Sequence, residues 1–122
     1  MANEITVNQS LRCDNGNFSF RREVGFTNFD QTTAGGGNPG TVNIGTSVES
    51  VTFGDVTTPG WAMLTNLDAT NYVQWGFSSG VYGGRMEAGE TAGPFRLDPG
   101  QSSIFLLANT AACNVLIQVL SD

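Results

Sequence analysis

Hydrophobic residues recur at every second position through short runs of this chain, and turn-forming residues separate the runs. Alternation with a period of two is the mark of a half-buried β-strand, because successive side chains point to opposite faces. The densest run is WAMLTNLDATNYVQWGF at residues 61–77. Trp61, Met63 and Leu67 fall on one face of its first half, and Val73, Trp75 and Phe77 share a face of its second. Asp68, Ala69, Thr70 and Asn71 lie between, with the length and side-chain chemistry of a hairpin turn. The two halves are expected to pair with each other and to place both tryptophans in the core.

The remaining runs fit the same scheme. Residues 4–11 alternate, with Ile5, Val7 and Leu11 opposite Glu4, Thr6, Asn8 and Ser10, and residues 1–11 form a half-exposed strand or an extended arm. After Asp14-Asn15-Gly16, a second strand carries Phe18, Phe20, Val24 and Phe26 inward and Ser19, Arg21 and Glu23 outward. Residues 30–40, DQTTAGGGNPG, are rich in glycine and are expected to form a mobile loop, since fixing consecutive glycines is entropically costly. Val51 and Phe53 point inward from a strand or strand pair over residues 41–53, and Pro59-Gly60 fits the centre of a type II turn. Further turns are expected at Gly89 and at Asp98-Pro99-Gly100-Gln101, with Phe95 and Leu97 inward between them. Residues 103–109 and 113–120 are apolar on both faces and read as central strands. No segment has helical spacing. Eight or nine short strands in one domain predict an all-β, two-sheet antiparallel sandwich, of jelly-roll or another Greek-key order.

Composition sharpens this picture in one respect. Charged residues make up 13% of the 122, about half the usual share of roughly 25%. A polar surface with few charges is cheap to desolvate and suits a domain packed against neighbours. Five arginines and no lysine face eleven carboxylates, for a net charge of −6. That balance disfavours nucleic acid as a partner. No run of 18 apolar residues occurs, and the N-terminal residues have neither a basic start nor an apolar stretch, so synthesis in a cytoplasm without a secretory leader is expected. Cys13 and Cys113 then default to two buried free thiols, with a disulfide between them as the alternative.

Catalytic chemistry finds little to work with. The chain has no histidine, so the commonest general base and metal ligand are both missing, and no lysine is present for a Schiff base. Glu87 and Glu90 flank the turn at Gly89 and, with Asp98 nearby, could be imagined as a glycosidase pair, but acids beside a turn are far more often solvated surface. The glycines at 35–37 lack the Lys and Ser or Thr of a phosphate loop, and no calcium-loop spacing occurs. Tyr72 and Tyr82, out of phase with the tryptophans or beside glycines, are the aromatics expected to be accessible. No enzymatic activity, cofactor or metal is expected.

The second half of the chain, through TNLDATNYVQWG at residues 65–76, RMEAGE at 85–90, FRLDPG at 95–100 and LANTAACNVLIQVL at 107–120, resembles small virion structural proteins of tailed bacteriophages. The resemblance implies a non-enzymatic β-sandwich that assembles on the virion. It points to a capsid decoration or cement protein, a homotrimer that binds outside the shell and clamps neighbouring copies of the major capsid protein. No nucleic acid, membrane or small-molecule partner is implied. A tail-tip or fibre domain that binds a host glycan or another tail protein is the alternative. Under this reading the interface candidates are Ile5 and Val7 on the arm, Gly36, Asn38 and Pro39 on the glycine-rich loop, and Tyr72 and Tyr82.

Overall fold

The computed structural model describes residues 3–122, which form ten β-strands and no helix. The all-β expectation holds. Of the expected arm, residues 1 and 2 lie outside the described residues. The chain divides into two compact units, one up to Thr32 and one from Thr33 to Asp122.

The first unit is an antiparallel hairpin of β1 (Ile5–Asn15) and β2 (Phe18–Phe29). Asn15 pairs with Phe18 across a two-residue turn, and Gly16 takes the first turn position with φ of 57°, the place where a type II′ turn needs glycine. Further along, Gln9 faces Gly25 and Ser10 faces Glu23, so Val24 is an extra residue in β2. This is a β-bulge, and Gly25, at φ of 74°, supplies the positive dihedral beside it. The inward assignment of Phe18, Phe20, Val24 and Phe26 is overturned: they are 59%, 45%, 48% and 76% exposed. A ribbon of two strands has two open faces and no second layer of its own, so alternation here did not mean burial.

The second unit holds β3 (Gly36–Ile44), β4 (Glu49–Thr52), β5 (Pro59–Asn66), β6 (Val73–Gly76), β7 (Gly84–Met86), β8 (Thr91–Arg96), β9 (Ser103–Ala108) and β10 (Cys113–Ser121). They form two four-stranded antiparallel sheets, ordered β3-β10-β5-β8 and β4-β9-β6-β7. Successive strands change sheet at every connection except β6 to β7. One apolar core takes residues from both sheets, among them Ile44, Leu64, Ile117 and Val119 from the first and Val51, Val73, Ile104 and Leu106 from the second. β9 and β10 are central, as their two-sided hydrophobicity predicts.

Residues 61–77 do not make the expected hairpin. β5 pairs with β10 and β8, whereas β6 pairs with β9 and β7 in the other sheet, so the polar link is a bridge between layers. The burial phase of β5 is also reversed: Ala62, Leu64 and Asn66 are buried, while Met63 and Leu67 are exposed. Register explains it. Ala62, Leu64 and Asn66 stand opposite Val119, Ile117 and Val115, the inward side chains of β10, and β5 must share their face.

The glycine-rich loop is corrected too. Residues 36–40 are the first part of β3 and pair with β10, Asn38 facing Val119 and Pro39 facing Gln118. A Cβ on Gly36 would lie 2.7 Å from the Leu120 Cα, and Gly36 has φ of 142°. Glycine is present here because two backbones approach closely, which periodicity cannot reveal. Pro59 and Gly60 likewise open β5, with Pro59 opposite Ser121, in place of a type II turn. A proline at the first position of a strand leaves no ladder donor missing.

Candidate functional site

The second unit carries an open groove of about 370 Å³ lined by Trp75, Phe77, Phe95, Arg96, Leu97, Asp98 and Gln101. Its floor is aromatic. Trp75 on β6 and Phe95 on β8 stack across the two sheets, ring centroids 5.3 Å apart and planes within 9°, and Phe77 meets both edge-on. Gly84 faces Trp75 across the β6–β7 ladder, and a Cβ there would fall on the indole ring. The indole therefore has Phe95 stacked on it and Gly84 pressed against it.

The polar rim of the groove is already engaged. Arg96 Nη2 is 2.8 Å from Asp122 Oδ1, the Asp98 carboxylate accepts from the Gly100 N–H at 2.8 Å, and the Gln101 amide donates to the Ser103 carbonyl at 2.8 Å. What the groove presents is apolar ring surface, fitted to docking an apolar or aromatic group. Among the described residues no three His, Cys, Asp or Glu side chains come together as a metal site would require. Trp75 was legible as an inward aromatic, but Phe77, Arg96, Asp98 and Gln101 were not legible as its neighbours, because they come from two different sheets and a turn.

A second cluster lies at the link between the sheets. Asn66 is fully buried, and its amide donates to the carbonyls of Asn71 at 2.8 Å, Met86 at 3.2 Å and Glu87 at 3.2 Å. Its side-chain oxygen accepts from the Asp68 N–H at 3.0 Å. Asp68 then accepts from the Thr70 and Asn71 N–H groups at 3.0 and 2.7 Å, the turn-capping role its sequence context suggests. Those two donors, Asn71 foremost, hold the Asp68 carboxyl below its ordinary value of 3.8. Burial, helped by the nearby Asp68 charge, pushes the Cys113 thiol up.

The Asp68 shift has a testable sign. A carboxyl that ionises more readily in the fold than in the unfolded chain stabilises the fold fully above its unfolded pKa, and this contribution is lost as pH falls through the lower folded value. Asp68→Asn keeps an acceptor oxygen but removes the charge. Its melting temperature is expected to lie below wild type at neutral pH and to converge with it in strong acid. A gap that stays constant across that range would contradict the assignment.

The residues singled out from sequence do not form one surface. Ile5 and Val7 are buried, 6% and 5% exposed, and the accessible apolar positions of the hairpin lie further along at Leu11, Phe18 and Phe20. Gly36, Asn38 and Pro39 belong to the sheet-edge strand β3. Tyr72 is half-buried beneath the Arg85 guanidinium, whose carbon stands 3.6 Å from the ring centroid, and Arg85 also pairs with Glu87 at 2.7 Å. Tyr82 is half-buried, and its hydroxyl is enclosed with no hydrogen-bond partner among the described residues. Both cysteines are free, Cys113 buried as expected but Cys13 exposed.

No family model, curated protein or solved structure matches the chain. The reading of function therefore rests on the fold, on these surfaces and on the phage-like sequence pattern.

Proposed function

We propose that this chain is a non-enzymatic virion structural protein, a decoration or cement protein that binds the outside of a phage shell as an oligomer and clamps neighbouring capsid subunits. The observation that carries the reading is the strand order of the second unit, β3-β10-β5-β8 over β4-β9-β6-β7. We read this as an eight-stranded jelly roll, the architecture of many viral capsid and lectin domains. Fold alone does not fix function, so the surface must agree. It does in two ways: the groove offers apolar ring surface with its charges already paired, and the chain as a whole is sparsely charged. Both suit packing against protein. Repetition on an oligomer would multiply individually weak contacts through effective concentration.

The aromatic groove favours a second reading, a tail-tip or fibre domain that binds a host glycan. Sugar rings stack on open aromatic faces, yet Trp75 is already stacked by Phe95 and pressed by Gly84. Only Phe77, 38% exposed, offers much free ring. The shell reading is the stronger.

The test is co-sedimentation of the purified protein with undecorated shells of its phage. Binding at a fixed ratio to capsid subunits, saturable and raising shell resistance to heat, is the expected result. Protein that stays in the supernatant at all concentrations overturns the shell reading, and a hit on a glycan array would then support the second.

A further inference from the structure

The distal half of the β1–β2 hairpin is an amphipathic ribbon. Directly opposed residues share a face of a two-stranded sheet, and the register places Leu11 opposite Arg22, Cys13 opposite Phe20 and Asn15 opposite Phe18. One face therefore collects Leu11, Cys13, Phe18 and Phe20, with Leu11 68% exposed and Cys13 exposed beside the two open phenylalanines. The other face collects Ser10, Arg12, Asp14, Ser19, Arg21 and Glu23 and is neutralised within itself. Arg12 pairs with Asp14 at 2.9 Å, Ser19 donates to Asp14 at 2.8 Å, and Arg21 pairs with Glu23 at 3.1 Å. A polar face wired internally and an apolar face left open is the pattern of a sheet covered on one side. A ribbon of two strands is marginal in water without such a cover.

We propose that the cover is a second copy of this chain, the Leu11–Cys13–Phe18–Phe20 face of one hairpin packing on the same face of another. Charge selects this partner and this place. The chain carries −6, but residues 8–26 hold three of its five arginines against only Asp14 and Glu23, so two copies repel least where their hairpin tips meet. The open face itself bears one charge, Arg22, whose apolar stem can lie along the contact while its head stays in water. Face packing is favoured over edge pairing, because the bulge at Val24 and the arginines on both strands blunt the ribbon's edges. Each face offers roughly 400–500 Å², so two together remove about 800–1,000 Å² from water, at the low end for specific interfaces. Association is accordingly concentration-dependent and of micromolar strength.

This deepens the assembly reading by naming a partner, and it rests on that reading only for the expectation of an oligomer. The test is sedimentation velocity of the full chain over a range of micromolar concentrations, beside the double variant Phe18→Ser with Phe20→Ser. Both phenylalanines are exposed, and a melting temperature within error of wild type would show that the variant folds. The wild-type mass is expected to rise with concentration, and the variant to associate at least tenfold more weakly. A short bismaleimide, which adds one thiol at each end, is expected to join wild-type copies through Cys13 and to leave the double variant uncoupled; buried Cys113 serves as the internal control. A wild type that stays monomeric, or a variant that associates as wild type does, overturns the proposal. Shell co-sedimentation separates the two readings: self-association without shell binding removes the decoration reading alone. A wild-type monomer whose shell binding is lost in the variant assigns the face to the shell and overturns the pairing of copies.

Discussion

Replacing Asn66 by alanine is expected to lower the stability of the sandwich by about 3 kcal/mol, the largest effect of any single substitution considered. The side chain has no exposure and makes four hydrogen bonds, three as donor and one as acceptor, to backbone groups of residues 68, 71, 86 and 87. Alanine would leave those groups facing a cavity that their desolvated surroundings cannot fill. Each orphaned group costs about 1–3 kcal/mol, partly relieved where water enters. Because the bonds tie the sheet-to-sheet link to the β7–β8 turn, both ends of the network loosen together. For a unit of this size the melting temperature should fall by roughly 10–20 °C. A fall of only a few degrees would mean that the network is not a determinant of the fold.

Gly84→Ala is expected to be nearly as damaging, at about 2–3 kcal/mol. The new methyl would overlap the Cε2, Cζ2 and Nε1 atoms of Trp75, and the indole cannot retreat because Phe95 is stacked against it. The cause is separable from a general glycine effect, since Gly84 does not have a positive φ. In a Trp75→Leu background the same alanine should cost little, and the non-additivity of the pair measures the clash. Equal costs in both backgrounds would place the damage elsewhere. Tryptophan fluorescence should shift in the single variant, as the indole leaves its packed position.

Much of this architecture is written locally. β9 and β10 are legible because both faces of Ser103–Ala108 and Cys113–Ser121 carry apolar residues, a demand that only central strands make. The turns at Gly89 and at Asp98–Gln101 are legible because their residues have one dominant use. What resists reading is decided across the chain. The phase of β5 is set by β10, some fifty residues away, and the larger hydrophobics of β5 at Trp61 and Met63 suggest the wrong face. The link at 68–71 has the chemistry of a hairpin turn, and nothing in it records that the next strand joins the other sheet. The hairpin phenylalanines were assigned inward because alternation reports amphipathicity and not the presence of a cover. The groove escaped notice for a related reason: Trp75, Phe95 and Asp98 become neighbours only when two sheets close.

The position of β10 between β3 and β5 sets a timetable for synthesis. Neither of those strands can complete its ladder until Cys113–Ser121 has left the ribosome, whereas the β1–β2 hairpin has all its pairing partners early. The nascent chain thus emerges with its ribbon formed and its sandwich open, the apolar faces of β3 and β5 waiting for a strand made last. Slow translation over the final segment would lengthen that exposed interval, and chaperone dependence should track it.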